Sequence, residues 1–521
     1  MPTNNANSRI AKNTGLLYLR MLFVMGVSLY TNRVLLATLG VTDYGLYNVV
    51  GSIVTMFVFI RSAMGNATHR YIAFAIGKGD AERLKTVYRT CVIVHCILAL
   101  IIILFCETIG LWLFYNKMVI PDERVSAAFW VFQFSILSCA LGVICVPYDA
   151  EIIAHEKMGA FAFISIFEVL FKLLYVYLIT IIPFDKLILF GGFVLLGQII
   201  IRSIYSVYCH RHFEESRFKF EWNAPLIKEM FGFAGWNIVG NMASIGCTPM
   251  INILLNMFFG PAVNAARGVA VQVQSAVKGF ISNFRLAFTP QITKTYAAGE
   301  LNRMHKLIIS GSKLSYFLFF CLALPIILKA DSILSIWLVE VPDHASSFLR
   351  LVLFVMMLEA WEQSLHTANL ATGKIKVFQT GKGLTLLLMI PIAYVALRLG
   401  APSESVFVIQ FVVTFFSLII QLIIIRPLIQ LPLGVYVKEV FIRPLIVTIA
   451  SFPIPLMIHL YLGYYNFILL LVECAFDAIV VLIISYLLGL DKPEKKMVDS
   501  KIIEYTNKLK VIFVKQSSNR Y

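Results

Sequence analysis

The chain has 521 residues, of which 59% are hydrophobic and 14% charged, with a mean hydropathy of +0.82 and a formal charge of +15. That composition excludes a soluble globular protein of this length and describes a polytopic, all-α integral membrane protein. The basic excess is spread along short loops instead of being gathered in one patch, which is not a nucleic-acid signature.

Taken from the start, MPTNNANSRIAKN is polar and leads straight into a full-length apolar run, so no cleavable signal peptide is expected. About fourteen transmembrane helices follow, near 14–39, 44–75, 86–115, 122–153, 158–183, 186–209, 228–258, 261–297, 308–329, 344–371, 376–398, 403–427, 435–460 and 465–489. The uncharged run Ser405–Ile425 is long enough to span alone. The loops on one side carry Lys78, Arg83, Lys85, Arg211, Arg217, Lys219, Arg303, Lys306, Lys374, Lys376 and Lys438. Those on the other side carry far fewer cations: Lys117, Arg124, Lys186, Lys329 and Arg398. The positive-inside rule then places both termini in the cytoplasm of a cell with this protein in its inner membrane. Tyr44, Asn116 and Asp185 are expected to face outward. The nine cysteines fall within apolar segments without a CxxC pair and read as buried small hydrophobes.

The two halves resemble each other. At a shift of 220 residues Gly40 meets Gly260, Val49 meets Val269, Ala67 meets Ala287 and Ile72 meets Ile292. The turn Gly79-Asp80-x-x-Arg83 meets Gly299-Glu300-x-x-Arg303. An even number of helices per repeat makes the repeats parallel, related by an axis along the membrane normal. The expected organisation is a first lobe over 1–220, a second over 221–430, two additional helices over 431–490 and a basic amphipathic tail over 491–521, held by anionic lipid.

The stretch Asn13–Gly40, the following LGVTDYGLYNVVGSIV, the GKGDAERL turn and the duplicated six-helix layout resemble the polysaccharide-export branch of the multidrug/oligosaccharidyl-lipid/polysaccharide (MOP) exporter superfamily. Within it the chain looks most like Wzx-type flippases of lipid-linked oligosaccharides, and its helix count is similar to that of the lipid II flippase. The resemblance implies a MATE-like, V-shaped, two-lobed bundle working by alternating access. It also implies a polyprenyl-pyrophosphate-linked glycan as substrate, with glycan polymerases or ligases as partners.

Intramembrane charges carry the functional reading. Arg267, Lys278 and Arg285 are spaced so that, at 100° per residue, they share one helical face within about 20° and climb roughly 27 Å. Gln274 lies on the same stripe. Such charges are costly unless they face a watery cavity or a partner. Arg20 and Arg61 lie inside apolar runs, with no carboxylate among their immediate neighbours in sequence. With the stripe they form the candidate substrate-binding set, suited to a pyrophosphate that Arg engages bidentately. The alternative for each is snorkelling or pairing with another helix. The candidate ion-coupling carboxylates, for protons or sodium, are Glu359, Glu362, Asp149 and Glu168. Glu359 is read as the deepest, Asp149 and Glu151 as close to the cytoplasmic end, and Glu168 as a partner of Lys172 at i, i+4. Glu473 and Asp477 share a face of the last helix. Amides Asn237, Asn241, Asn252, Asn256, Asn264, Gln272 and Asn283 suit sugar hydroxyls or hold helices together. Pro147, Pro249, Pro290 and Pro325 fall inside spans as potential kinks.

There is no GxxxxGK[ST] phosphate loop, no HExxH-like metal spacing and no nucleophile triad, so the expectation is a secondary transporter without cofactor or metal. The rival readings are a multidrug or small-molecule antiporter of the same fold, for which an acidic cleft is expected, and a polymerase-type or scaffolding component of a glycan assembly complex.

Overall fold

The computed structural model describes residues 3–78, 80–155, 157–217, 221–286, 291–292, 295–296, 298–372, 374–461, 466–496 and 499. Side chains are described for these except within 3–21, 58–60, 77–78, 233–245 and 282–286 and at 63, 66, 70, 73, 158, 363 and 375. The side chains of Arg20 and Arg285, together with Pro290, Asn237, Asn241 and Asn283 and the tail from 500, therefore lie outside the described residues.

Helices account for nearly all of the chain, and there is no strand among the described residues. The first half comprises α1 (Thr3–Thr55), α2 (Val58–Lys78), α3 (Ala81–Phe105), α4 (Leu111–Asn116), α5 (Val125–Ile144), α6 (Val146–Ala154), α7 (Met158–Ile181) and α8 (Lys186–His212). The second half comprises α9 (Ala224–Phe259), α10 (Pro261–Leu286), α11 (Leu301–Leu328), α12 (Ala330–Trp337), α13 (Ala345–Thr372), α14 (Ile375–Leu387), α15 (Met389–Arg398) and α16 (Ser405–Ile429). Then come α17 (Leu433–Tyr436), α18 (Arg443–Ser451), α19 (Pro453–Tyr461) and α20 (Phe467–Ile484). Among the described residues, 10 helical segments are long and apolar enough to cross a membrane. The chain is a multi-pass membrane protein. Neither α10 nor α13 is among those segments, because their charged and amide residues make them too polar.

Side-chain caps set several starts. Asp185 accepts from the N–H groups of Leu187 and Ile188 at the head of α8, Asp80 from Arg83 in α3, and Asn223 from Leu226 in α9. Each satisfies an N–H that the helix itself leaves free. Pro147 lies inside the span Asp122–Ala154, in the first turn of α6, just after the break at Cys145 that divides it from α5. Pro249 and Pro325 do lie inside α9 and α11.

Gly40 and Gly260 share more than an aligned position. They sit at φ 75°, ψ 171° and φ 81°, ψ −174°, a left-handed conformation that a side chain disfavours. Gly40 thus separates two helices within α1, and the second runs through Asp43 and Tyr44 to Thr55. Tyr44 is buried there, with its hydroxyl donating to Asn32 at 3.0 Å.

Beyond this break α1 packs on α10 and α9, and α2 packs on α9. The approach of α1 to α10 is close: a Cβ on Gly45 would lie 1.9 Å from the Pro261 carbonyl oxygen, and one on Gly268 would lie 2.8 Å from Nδ2 of Asn48. Amides staple the same region. Asn252 donates to Ser52 Oγ at 2.6 Å, and Asn256 accepts from the Val119 N–H at 2.8 Å. For these two, the helix-joining reading of the amides is the one the geometry shows.

The last helices are tied to α11 by charge. Lys313 is fully buried and meets Glu494 at 2.7 Å, with Glu439 and Asp491 each at 3.5 Å. Lys329 is also fully buried, pairing with Asp477 and lying 3.6 Å from Glu473. Reading Lys329 as a loop cation is thereby corrected: it closes α11, and its charge belongs to α20.

Candidate functional site

The cationic stripe of α10 borders a cavity of about 310 Å³ enclosed by α9, α10, α13, α14, α15 and α16. Arg267, Gln274 and Lys278 line it from α10, as their spacing requires of residues on one helix face. Glu359 and Glu362 line it from α13, and Lys382 from α14. Polar atoms contribute about half of its wall, as Thr248, Ser275, Gln410 and Thr414 also face it.

The charges form a defined set. Lys278 donates to Glu359 at 3.1 Å, and Lys382 pairs with Glu362. Glu359 and Glu362 are one turn apart on α13, so each carboxylate meets a lysine from a different flanking helix. The two pairs differ in environment. Glu362 is nearly buried, whereas the Lys278 and Glu359 side chains are 56% and 33% exposed. An exposed pair is worth little and exchanges partners easily. Among the carboxylates, Glu362 is more buried than Glu359, and Glu151 is fully buried.

Arg267 stands apart. Its side chain is buried at 3% exposure, its Nη1 donates to Asn252, and its Nε has no partner. No carboxylate lies within ion-pair distance of it among the described residues. Three cations and two carboxylates leave the cavity with one unmatched positive charge, located on Arg267.

A second cluster lies in the first half. Arg61 of α2 and Arg202 of α8 share Asp149 of α6, at 3.9 and 3.2 Å. Gly142 makes room for the Arg61 guanidinium, since a Cβ there would sit 3.4 Å from its Nη1. Arg61 therefore has a carboxylate on another helix, which sequence neighbours do not reveal, and Asp149 is an ion-pair partner instead of a solvated end group. Two guanidinium groups on one carboxylate again leave a net positive charge. Glu168 lies one turn from Lys172 on α7, within electrostatic reach of it, and does not line the cavity. Lys382 and Arg202 are absent from the sequence-derived set, and Asn252 appeared there only among the amides. Lys382 and Arg202 are lone cations inside apolar runs, the same signal that marks Arg61, but neither falls on a stripe with others.

No family model matches the sequence, and no curated relative does. Solved structures match the fold. The chain is similar to the lipid II flippase MurJ in an inward closed conformation, with TM-score 0.67 and 11% identity over 91% of this chain and 98% of that one. An inward-facing multidrug resistance MATE transporter of the MOP superfamily matches with TM-score 0.59 and 13% identity, over 78% and 96% of the two chains. A MOP superfamily transporter from Pyrococcus furiosus, described as having a binding pocket of reverse polarity, matches with TM-score 0.55 and 15% identity, over 80% and 96%. At such identities the likeness is one of fold, and the fold is the MATE- and MurJ-like transporter bundle.

Proposed function

We propose that this chain is a flippase of the bacterial inner membrane that moves an undecaprenyl-pyrophosphate-linked oligosaccharide by alternating access, for surface polysaccharide synthesis. Its two six-helix lobes are 1–220 and 221–430, both termini are cytoplasmic, and the Wzx-type resemblance supports the substrate class. The observation that carries the reading is Arg267, a buried guanidinium beside a polar cavity with no carboxylate to neutralise it. Such a charge is tolerable where an anion visits.

The mechanism follows from the unequal pairs. A diphosphate entering the cavity competes with Glu359 for the exposed Lys278 ammonium and approaches Arg267, whose guanidinium suits phosphate oxygens. Glu359, which loses its ammonium partner at that moment, is the residue to which we assign coupling of occupancy to an ion gradient. Glu362 keeps its buried lysine throughout and fixes the wall. The polyprenyl tail stays in lipid, and an apolar cavity of about 500 Å³ bordered by Trp361, Phe415, Leu418, Phe441 and Leu445 suits a hydrocarbon chain. The first-half arginines supply a further cation for the head group.

The two cavity carboxylates favour one rival, an antiporter of organic cations. Both are already matched by lysines, so a cation would have to displace an ammonium and would meet Arg267 besides. The deciding experiment is complementation of a flippase-deficient strain, scored by surface glycan with membrane levels checked. Arg61→Ala, Arg267→Ala, Lys278→Ala and Arg285→Ala are expected to abolish export, and Arg267→Lys to retain part of it. Normal export by all the alanine variants would exclude the anionic-head-group reading and favour a neutral or cationic solute.

A further inference from the structure

At the C-terminal end of α6, away from the cavity, three potential metal ligands converge. Glu151 and His155 are four residues apart, so they lie on one face of the same helical end. Glu215 comes from the short turn Glu214–Ser216 that follows α8. One ligand atom from each of the three lies within 4.8 Å of the others. His155 Nε2 is 2.7 Å from a Glu215 carboxylate oxygen. The imidazole is held in place by Phe213, stacked on it at 4.2 Å between centroids.

Glu151 is the anomaly. It is fully buried, yet both of its carboxylate oxygens lack a hydrogen-bond partner. Tyr88 and Cys209 are its polar neighbours, close enough to interact with it but making no hydrogen bond of ordinary geometry to it. Glu215, nearly buried as well, brings a second carboxylate toward the first. Two buried carboxylates at such range repel each other, and a bare one costs several kcal/mol. His155 can offset one negative charge only when protonated, and it already faces Glu215. A divalent cation neutralises both carboxylates and satisfies the orphaned oxygens at once.

We propose that Glu151, His155 and Glu215 form a structural site for a first-row divalent metal ion of the zinc or manganese class. An ion inside a triangle of that size lies less than about 3 Å from each ligand atom, so modest side-chain adjustment reaches bonding distances of about 2.0–2.2 Å. One imidazole nitrogen and two carboxylate oxygens suit zinc or manganese better than calcium or magnesium, which favour all-oxygen shells. The site joins α6 to the turn after α8. Beside it pack Ile152, Ile164, Ile201, Tyr205, Cys209 and Phe213, a small apolar cluster shared by α6, α7 and α8. Its role is to clip those helices together. The spacing Glu-x-x-x-His is not a metal motif by itself, and the third ligand is sixty residues on, which is why sequence patterns pass over it.

The test uses full-length protein in detergent, stripped with chelator, then titrated with Zn2+ or Mn2+ while metal content is counted after dialysis. One ion per chain is expected, with a rise in melting temperature on metal addition. Glu151→Gln, His155→Asn and Glu215→Gln should each weaken binding by about 100-fold or more and lose the metal-dependent rise. His155→Asn alters a partly accessible group and Glu215→Gln a turn residue outside the helices, so they keep the test open if Glu151→Gln misfolds. Uptake of neither ion, or uptake that His155→Asn and Glu215→Gln both retain, would overturn the assignment. In the latter case the histidine and Glu215 are simply an ion pair, and Glu151 is held neutral.

Discussion

The α1–α10 contact offers a direct handle on alternating access. A methyl group on Gly45 would sit 1.9 Å from the Pro261 carbonyl oxygen, against a practical minimum of 3.0 Å, so the backbones must part by at least 3.0 − 1.9 = 1.1 Å. Overpacking of this kind costs about 1–3 kcal/mol. The penalty applies only while the two helices touch, so Gly45→Ala should shift the population toward the conformation in which they are apart by a factor of about 5 to 150. The readout is a cysteine pair, Ser52→Cys with Asn252→Cys, in a background without native cysteines. Those positions are joined by a 2.6 Å hydrogen bond in the same contact region. Cross-linking by a short bifunctional thiol reagent should slow in proportion to the lost population. Gly51→Ala is the control, because nothing lies within 4 Å of a Cβ there. Equal cross-linking rates in both variants would refute the idea that this backbone contact holds the observed state.

Other outcomes follow from the charge pairs. Lys329→Met leaves Asp477 and Glu473 buried without a cation and should lower stability by about 3–5 kcal/mol, read as a loss of melting temperature in detergent; adding Asp477→Leu and Glu473→Gln should restore most of it. Glu359→Gln should abolish gradient-driven transport while leaving substrate binding measurable, and unchanged transport would remove Glu359 from the mechanism. Outside the spans, burial raises the Asp185 carboxyl, but hydrogen bonds from Arg124 and the α8 N–H groups outweigh it and hold the group below its usual 3.8. A depressed carboxylate stabilises above its unfolded value and loses that effect as pH falls through the folded one. The melting-temperature difference between the native chain and Asp185→Asn should therefore be flat from neutral pH down to about 5 and shrink below about 4.

Much of the fold was legible because membrane helices announce themselves by apolar length. Among the described residues the expected segments overlap helix, with 10 segments long and apolar enough to span, and the pair Gly40 and Gly260 fell into register at a shift of 220 residues. Helical periodicity also placed Arg267, Gln274 and Lys278 on one wall, since that inference needs only one helix. What sequence could not supply was the identity of partners on other helices. The pairing of Arg61 with Asp149, of Lys278 with Glu359 and of Lys329 with Asp477 spans 81 to 148 residues in the last two cases. Exposure was out of reach for the same reason: the place of Glu359 in an apolar run says nothing about whether its face borders a cavity.

The pairing of Lys329 with Asp477 bears on how the chain is made. Lys329 is synthesised well before its counter-charge, which arrives only with the final helix. Until α20 is inserted and docked, the nascent protein holds an ammonium group at the end of α11 with nothing to neutralise it. A chain cut short before residue 477 keeps that fault permanently, and so does one whose last helix fails to insert. Docking of α20 thus neutralises a charge that the preceding helices leave buried, tying their completion to a segment whose Asp477 is made 148 residues later.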